Sequence, residues 1–510
     1  MRKAFCAMAL LLAMVVTTGL WAGGGKQPAA SSGGPTPLSI AVSIHPTQTA
    51  PDWSLALGKL VQERTNTVIT GEYWPESTVT EKQNLALASG TLPDLFFATR
   101  DQAFLYGQEG VFEPLDDLLA KNAPHILNYI TPENSTVLKS PQDGKTYILP
   151  KYYQLNTLTE TTFDYRKDIL DEMKEPEPST IDEWYNLFKR VKARYPNMVI
   201  LSERNREVDM FTHTIFDMGK IDGYYGIIGS EYDKHKIEYL PITNEWRDML
   251  AFYQKLYAEG LMDPEYLTIQ YNDWWEGKIG GGRAFACWTM NFSRADQANQ
   301  LAEKAGIKNV AWRVATTPKN YKTGERVQYQ TGNPWQESGY ALNAKSKVKT
   351  EAIKYLDYFF TEEYIAMASW HVDSPIYDAL GYKNKRSMTE FEYNEYIGFN
   401  GFFNMPQLHP FVVVRNNNPP LDATVDHFDK NMPYVKIIPT IVRTGDSANW
   451  VSITTDLNAY IQTAMDEFIT GKRPLSQWNA YVQGAKALKV DDGVKIVQGW
   501  YDNYWKSVGK

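Results

Sequence analysis

The chain has 510 residues, and its 60 acidic residues outnumber its 52 basic residues to give a formal net charge of −8. This balance, without any run of Lys or Arg, argues against nucleic acid and anionic membranes as partners. It also argues mildly against a strongly polyanionic ligand, unless a binding cleft is locally basic. The length predicts two or three domains, or one two-lobed unit.

The N-terminus has the pattern of a secretory signal peptide. Two basic residues precede an apolar run at 4–16 that is too short to span a bilayer. Residues 1–22 are therefore predicted to direct export, and 23–37, rich in Gly, Ala, Ser and Pro, to form a flexible tether. Removal of Cys6 with the signal leaves Cys287 alone, so we expect no intramolecular disulfide. A chain of this length buries enough apolar surface without one.

An alternation of strands and helices opens the folded part. Its elements are predicted in the order strand, helix, strand, helix, strand at 38–44, 52–64, 67–73, 81–88 and 94–98. This order predicts a parallel sheet with crossover helices. The same alternation resumes after Pro150, with helices predicted at about 179–194, 244–259 and 350–369. The closing third is predicted to be helical at 454–470, 476–488 and 493–506. The Pro- and Asn-rich passage at 404–446 receives no assignment.

Eight short segments follow one another in a recognisable order. They are Leu87–Leu95, Gly144–Pro150, Tyr165–Asp168, Pro178–Trp184, Gly260–Glu265, Gly282–Ala286, Gly339–Asn343 leading to Glu351–Asp357, and Phe468–Trp478. No segment is specific by itself. Their order, from about Ile40 onwards, resembles the large branch of the bacterial extracellular solute-binding proteins, family 1, the sugar receptors of ABC importers.

The resemblance implies an α/β, two-lobed periplasmic-binding-protein fold of type II. Each lobe would be a mainly parallel sheet flanked by helices, with the ligand cleft between the lobes. Lobe 1 would comprise 38–150 plus 335–371, and lobe 2 would comprise 151–334 plus 372–510. Many relatives carry a lipid on a Cys directly after the signal. This chain has Gly there, so we expect a soluble, periplasmic or otherwise extracytoplasmic protein without a lipid anchor.

The function implied by the resemblance is a non-catalytic receptor that captures a carbohydrate by hinge closure and delivers it to a membrane permease. The size of the chain favours an oligosaccharide, and we expect a monomer. Two alternatives stay open, namely an exported polysaccharide-degrading enzyme and the same fold binding a peptide.

The residues argue against an enzyme. None of the seven histidines pairs with another at the spacing of a metal site, and no phosphate-binding glycine loop or nucleophile elbow is present. Some large relatives, including alginate-binding ones, carry a calcium loop whose counterpart here, 191–198, offers only Asn197 as a ligand. We therefore expect no catalytic residue, no metal and no cofactor.

The aromatic content, 15 Trp, 32 Tyr and 21 Phe, is the positive signal, because aromatic rings offer flat faces to sugars. Ligands of such folds bind at the carboxyl ends of strands and in the cleft. Candidates chosen by position at strand ends, crossings and a helix start are Trp74, Tyr152, Tyr153, Trp274, Asn291, Trp335, Glu337, Trp370 and His371. Trp335 is expected to be an exposed sugar platform, and one member of the pair Trp274 and Trp275 to face the core.

Trp288 carries the sharpest prediction. Residues 283–288 read as a strand in which Trp288 shares a face with the small Ala284 and Ala286. The family often has an aromatic residue just after this strand, so Trp288 is expected to meet the ligand. On this interpretation, Trp288→Ala weakens binding about tenfold and leaves the melting temperature nearly unchanged, because one buried ring face contributes about 1.5–3 kcal/mol. The alternative is a core tryptophan that covers the strand.

Overall fold

A computed structural model of the chain describes residues 34–44, 50–131, 134–154, 162–204, 208, 212–229, 234–289, 293–331, 334–364, 408–410, 434–438, 441–443, 445 and 447–507. Within these ranges the strands are β1 Thr36–Ile44, β2 Thr67–Pro75, β3 Leu95–Thr99, β4 Leu149–Gln154, β5 Thr162–Arg166, β6 Val199–Leu201, β7 Met218–Asp222, β8 Tyr225–Ile228, β9 Glu238–Tyr239, β10 Ala284–Thr289, β11 Trp312–Val314, β12 Val327–Thr331, β13 Trp335–Leu342, β14 Leu408–Pro410 and β15 Tyr434–Ile438.

The described helices alternate with these strands. They are α1 Ala56–Thr65, α2 Val79–Ser89, α3 Arg100–Gln108, α4 Asp116–Asn122, α5 Pro124–Leu127, α6 Lys167–Met173, α7 Ile181–Arg194, α8 Asn244–Ala258, α9 Ser293–Lys304, α10 Lys349–Tyr358, α11 Ser447–Ile469, α12 Trp478–Ala487 and α13 Val490–Ser507. A π-helix spans Asp273–Gly280, and short 3₁₀ turns cover Glu76–Thr78, Ser135–Leu138, Leu240–Ile242 and Leu475–Gln477.

The first sheet has six strands in the order β14-β4-β13-β3-β1-β2. The predicted parallel pairing of the first three strands is confirmed, since β1 is parallel to both β2 and β3. β13 returns antiparallel between β3 and β4. A Cβ on Gly339 in β13 would lie 2.2 Å from the carbonyl oxygen of Leu149, so this close strand approach requires glycine.

The second sheet has four strands in the order β11-β5-β10-β6, and smaller sheets β7-β8-β9 and β12-β15 lie beside it. It is mixed, because β5 is antiparallel to both of its neighbours while β10 and β6 are parallel. One hydrophobic core joins this sheet to α7, α8 and the C-terminal helices. Cys287 in β10 is fully buried, and burial raises the pKa of its thiol well above the usual value.

Two sequence-based expectations differ from the structure. The helix predicted at 350–369 ends at Tyr358, because the Thr361 hydroxyl bonds back to the Tyr358 carbonyl and accepts from the Tyr364 N–H, which starts a new turn. Residues 408–410, placed in lobe 2 by the resemblance, form β14 beside β4 in the first sheet. The remaining lobe boundaries stay a prediction.

Candidate functional site

The carboxyl ends of β1 to β4 meet the amino end of β13 at one edge of the first sheet. This edge collects Trp74 from β2, Thr99 from β3, Tyr152 from β4 and Trp335 from β13. Open α/β folds bind ligands at such an edge, because strand ends and following loops present side chains there. The edge therefore holds several of the predicted residues together.

Trp335 is not the exposed platform that the sequence predicts. Its side chain is 1% exposed, and its indole N–H donates to the amide oxygen of Asn134 at 3.2 Å. The ring packs edge-on against Tyr152 at 4.8 Å and lies beside Phe360. The cause is the register of β13, which pairs Trp335 with Tyr152 and directs both rings into a buried aromatic cluster.

The other predicted positions on this sheet differ in exposure. Trp74 is buried and packs edge-on against Phe96 at 5.7 Å. Glu337 is exposed in β13. Tyr153 lies in β4, where its backbone pairs with His409, and its side chain lies outside the described residues. Binding roles for these residues stay predictions.

Three further candidates, Asn291, Trp370 and His371, lie outside the described residues, as does the predicted signal peptide. The tether enters the described part only at residue 34, and the unassigned passage 404–446 enters it only in short pieces.

The second sheet presents a cluster of aromatic rings and guanidinium groups at the carboxyl end of β6. Trp274 donates its indole N–H to the carbonyl of Ser202, directly after β6. The Arg204 guanidinium lies 5.5 Å from the ring centre of Trp274, and Arg294 lies 5.0 Å from that of Trp275. Such contacts are cation–π interactions. Both tryptophans are buried, whereas the sequence predicts only one of them in the core.

Trp288 lies in the core of the second sheet. It is 7% exposed, and its ring centre lies 4.5 Å from that of Phe163 on the neighbouring strand. It also lines a cavity of about 20 Å³ with Trp184 and Phe188 of α7. The packing agrees with the core alternative, so the expectation of an unchanged melting temperature no longer holds. A ligand contact by Trp288 stays a prediction.

A cavity of about 120 Å³ joins the carboxyl edge of the first sheet to the β7-β8-β9 sheet. The residues that line it come from distant parts of the chain: Thr99, Arg100, Asp101, Ile221, Asp222, Glu337, Ile441 and Arg443. Among the predicted site residues, only Glu337 belongs to this set. Polar groups from the first sheet and from the β7-β8-β9 sheet therefore converge on this cavity.

Arg443 connects the two sides of this cavity. Its Nε and Nη2 donate to the two carboxylate oxygens of Asp222, each at 2.9 Å, and its Nη1 donates to Asp101 at 2.7 Å. Its guanidinium carbon also lies 4.2 Å from the ring centre of Trp450. Asp101 follows β3 of the first sheet and Asp222 ends β7, so one side chain links two separate sheets.

Asp164 is a buried carboxyl group in β5, an inner strand of the second sheet. One of its carboxylate oxygens accepts from the Thr289 hydroxyl at 3.0 Å, and Thr289 lies 3.0 Å from the Thr162 hydroxyl. Burial raises the pKa of Asp164 to about 7, against the lowering effect of the hydroxyls of Thr162 and Thr289. The carboxyl is therefore partly protonated at neutral pH.

This burial predicts how stability changes with pH. Because the folded-state pKa of Asp164 exceeds the usual value of 3.8, its contribution is fully present below about pH 4 and is lost as the pH rises through about 7. We expect Asp164→Asn to remove this part of the pH dependence of the free energy of unfolding. The change between low and high pH amounts to at most about 4 kcal/mol, at 1.36 kcal/mol per pKa unit. Urea unfolding of both proteins from pH 4 to 8 measures it. Identical slopes would contradict the prediction.

A larger cavity of about 550 Å³ lies at the opposite edge of the second sheet, beside the amino ends of β6 and β10. Its lining includes Arg194, Asn197, Lys278 and Arg283. Although larger, it lies away from the strand ends that converge on the smaller cavity. Asn197, the one potential ligand in the counterpart of the calcium loop, also lines it.

Within the described ranges, no group of three or more His, Cys, Asp or Glu residues could hold a metal ion. The absence of calcium stays a prediction.

Sequence reasoning missed most of the residues that line the smaller cavity. A signal existed for Arg100 and Asp101, which directly follow the predicted third strand and therefore had to lie at its carboxyl edge. Arg443 gave no such signal, because its partners lie 221 and 342 residues away and no strand was predicted around it.

The family profile described as bacterial extracellular solute-binding protein matches residues 58–377. The chain is 24% identical over 344 residues to the polygalacturonan/rhamnogalacturonan-binding protein YtcQ of Bacillus subtilis, a match that covers 63% of each chain. It is 23% identical over 219 residues to the fructooligosaccharide ABC transporter substrate-binding protein FusA of Streptococcus pneumoniae, with 39% of this chain and 40% of FusA covered. By sequence, the chain thus matches less than two thirds of the length of either relative.

Solved structures resemble the whole described fold. The alginate-binding protein AlgQ2, crystallised without calcium ion, superposes with a TM-score of 0.73 at 22% identity, covering 92% of this chain and 99% of AlgQ2. FusA of S. pneumoniae in complex with kestose gives a TM-score of 0.71 at 17% identity, covering 92% and 100%. These neighbours share a type II, two-lobed architecture.

No described helix is both long and apolar enough to cross a membrane.

Proposed function

The chain belongs to the bacterial extracellular solute-binding proteins, and we propose that it is the receptor of an ABC importer that captures an oligosaccharide between its two lobes. The observation that carries the proposal is the cavity in which Arg100 and Glu337 of the first sheet's edge meet Asp222 and Arg443. Charged groups that point at one cavity from separate sheets can bond the hydroxyls of a polar ligand.

The relatives support the choice of a carbohydrate. Their names describe binders of polygalacturonan, rhamnogalacturonan and fructooligosaccharides. The family and its neighbours are binding proteins, and we infer that this chain is likewise not an enzyme and needs no cofactor. We further propose export by residues 1–22, action as a monomer, and delivery of the sugar to a membrane permease.

Ligand-induced closure follows from the same proposal. Periplasmic binding proteins close around their ligands by rotation of the two lobes about a hinge, and we infer the same motion here from membership of the family. The ligand must bind the closed arrangement of the lobes more tightly than the open one, since only a difference in affinity shifts a conformational equilibrium.

A thermal-shift screen tests the function. Purified protein is heated with oligosaccharides, monosaccharides and short peptides, each in separate wells. We expect oligosaccharides to raise the melting temperature, because a ligand at 100 times its Kd stabilises the folded state by about 2.7 kcal/mol. Stabilisation by peptides alone would contradict the proposal, and stabilisation by monosaccharides alone would contradict the oligosaccharide. Chromatography of the same mixtures should reveal no degradation products, and products would indicate an enzyme.

A further inference from the structure

Arg100 is a buried cation that makes no hydrogen bond to a carboxylate among the described residues. It is 5% exposed and begins α3, directly after the capping residue Thr99. Its Nη2 donates to the main-chain carbonyl of Gln336 at 3.0 Å, while its Nε has no hydrogen-bond partner within the described part of the chain. Nε is inaccessible to solvent, so the N–H groups available to a ligand are those of the two terminal nitrogens, and among the described residues only the Gln336 carbonyl accepts from them. Leaving such buried donors unmet is costly.

Glu337 lies next to the carbonyl that holds Arg100 and lines the same cavity. Of the charged groups around Arg100, the Glu337 carboxylate attracts its guanidinium most strongly, yet no hydrogen bond joins the two side chains. A donor on one side and an acceptor on the other therefore border the space between them. The volume, about 120 Å³, is several times the ~10–15 Å³ that one water molecule requires, which is enough for the hydroxyl-bearing edge of one sugar ring.

The charges around the cavity oppose an anionic ligand group. Three carboxylates, Asp101, Asp222 and Glu337, border it, against the two guanidinium groups of Arg100 and Arg443. The Arg443 guanidinium already pairs with the carboxylates of Asp101 and Asp222. The formal sum of minus one, in a partly water-excluded space, repels a further carboxylate more strongly than it would in bulk water.

We propose that this cavity is a subsite for an uncharged sugar unit, in which Arg100 donates to one hydroxyl and Glu337 accepts from its neighbour. The inference rests on the proposed function and narrows it, because it selects neutral sugars against uronic acids at this position. Two adjacent hydroxyls supply both an acceptor and a donor, which a carboxylate does not. Among the described residues that line it, this cavity thus lacks the local excess of positive charge that a polyanionic ligand would need.

Isothermal titration with matched sugars tests the subsite. The probes are gluco-, galacto-, manno- and fructo-oligosaccharides of two to six units, and the same oligomers oxidised at C6 to the carboxylate (uronate) form. We expect the chain to bind at least one neutral oligomer about tenfold or more tightly than its uronate counterpart. Glu337→Gln should weaken binding of that neutral ligand roughly five- to tenfold, because the amide oxygen still accepts from the hydroxyl but without the charge that strengthens the hydrogen bond. It should also narrow the difference in affinity between the neutral oligomer and its uronate.

The control is Glu109→Gln, an exposed carboxylate just after the other end of α3, which removes the same charge away from the cavity and should leave both affinities unchanged. Equal or tighter binding of the uronate by the unaltered chain would overturn the neutral subsite while leaving the oligosaccharide receptor intact. An unchanged neutral affinity in Glu337→Gln would also overturn it. Binding of none of the sugars would overturn both the subsite and the proposed function.

Discussion

Replacing Trp288 with alanine should lower the free energy of unfolding by about 3–5 kcal/mol, the usual cost of removing a large aromatic ring from a core. The ring packs against Phe163 at 4.5 Å and borders a small apolar cavity with Trp184 and Phe188. The deletion would enlarge that cavity, and the surrounding helix and strands can close it only in part. Urea unfolding followed by circular dichroism measures the change.

Trp288→Phe is the matched control, because it keeps an aromatic ring against Phe163 and should cost clearly less than alanine. Measuring ligand affinity on both variants separates the two roles of the residue. A melting temperature that stays unchanged while affinity falls about tenfold would contradict the core assignment and restore the interpretation made from the sequence.

Replacing Arg443 with alanine should destabilise the protein by about 2 kcal/mol, because its ion pair with Asp222 is only partly buried, the Arg443 side chain being 23% exposed. The value lies between about 0–1 kcal/mol for exposed pairs and about 3–5 kcal/mol for breaking buried ones. The side chain of Asp222 is only 9% exposed and would lose both of its guanidinium hydrogen bonds. The tie to Asp101 across the cavity would be lost with it. Because Arg443 links separate sheets, we also expect its loss to change ligand affinity, which thermal unfolding and titration of the same samples would measure.

The control for Arg443 is Arg194→Ala, which breaks an exposed ion pair with Glu172 whose side chains are 64% and 53% exposed. Such a pair contributes about 0–1 kcal/mol. Adding Asp222→Asn to Arg443→Ala should recover part of the lost stability, because the uncompensated, partly buried charge of Asp222 disappears. If Arg443→Ala lowers the free energy of unfolding no more than Arg194→Ala does, the ion pairs of Arg443 across the cavity do not stabilise the fold.

Local sequence patterns predicted the regular elements well. The first three strands and the helices between them lie within a few residues of their predicted bounds, and Gly90 ends α2 in the left-handed conformation at φ 68°. The helix predicted at 244–259 likewise matches α8. These features depend on neighbours in the sequence, which explains why the sequence alone predicts them.

The candidate site was harder to predict, because it depends on register and on distant partners. Trp335 stands in a polar segment of the sequence, yet the pairing of β13 with β4 buries it against Tyr152. Arg443 lies in a segment without periodicity, and only the folded chain brings it to Asp222. Position at a strand end indicated the edge of the sheet at which a residue lies, but not the direction in which its side chain points.

The burial of Cys287 has a practical consequence for testing the proposed closure of the lobes. A thiol reacts as its thiolate, so a buried group whose pKa is raised resists alkylating dyes. Cys6 lies in the predicted signal peptide, so the exported chain should contain no other cysteine. Cysteines introduced at the exposed Leu85 and Val451 would then be the sites that take up a fluorophore pair. Energy transfer between the dyes would report the distance between the first sheet's helix α2 and the C-terminal helix α11 in a single molecule, without removal of the native thiol.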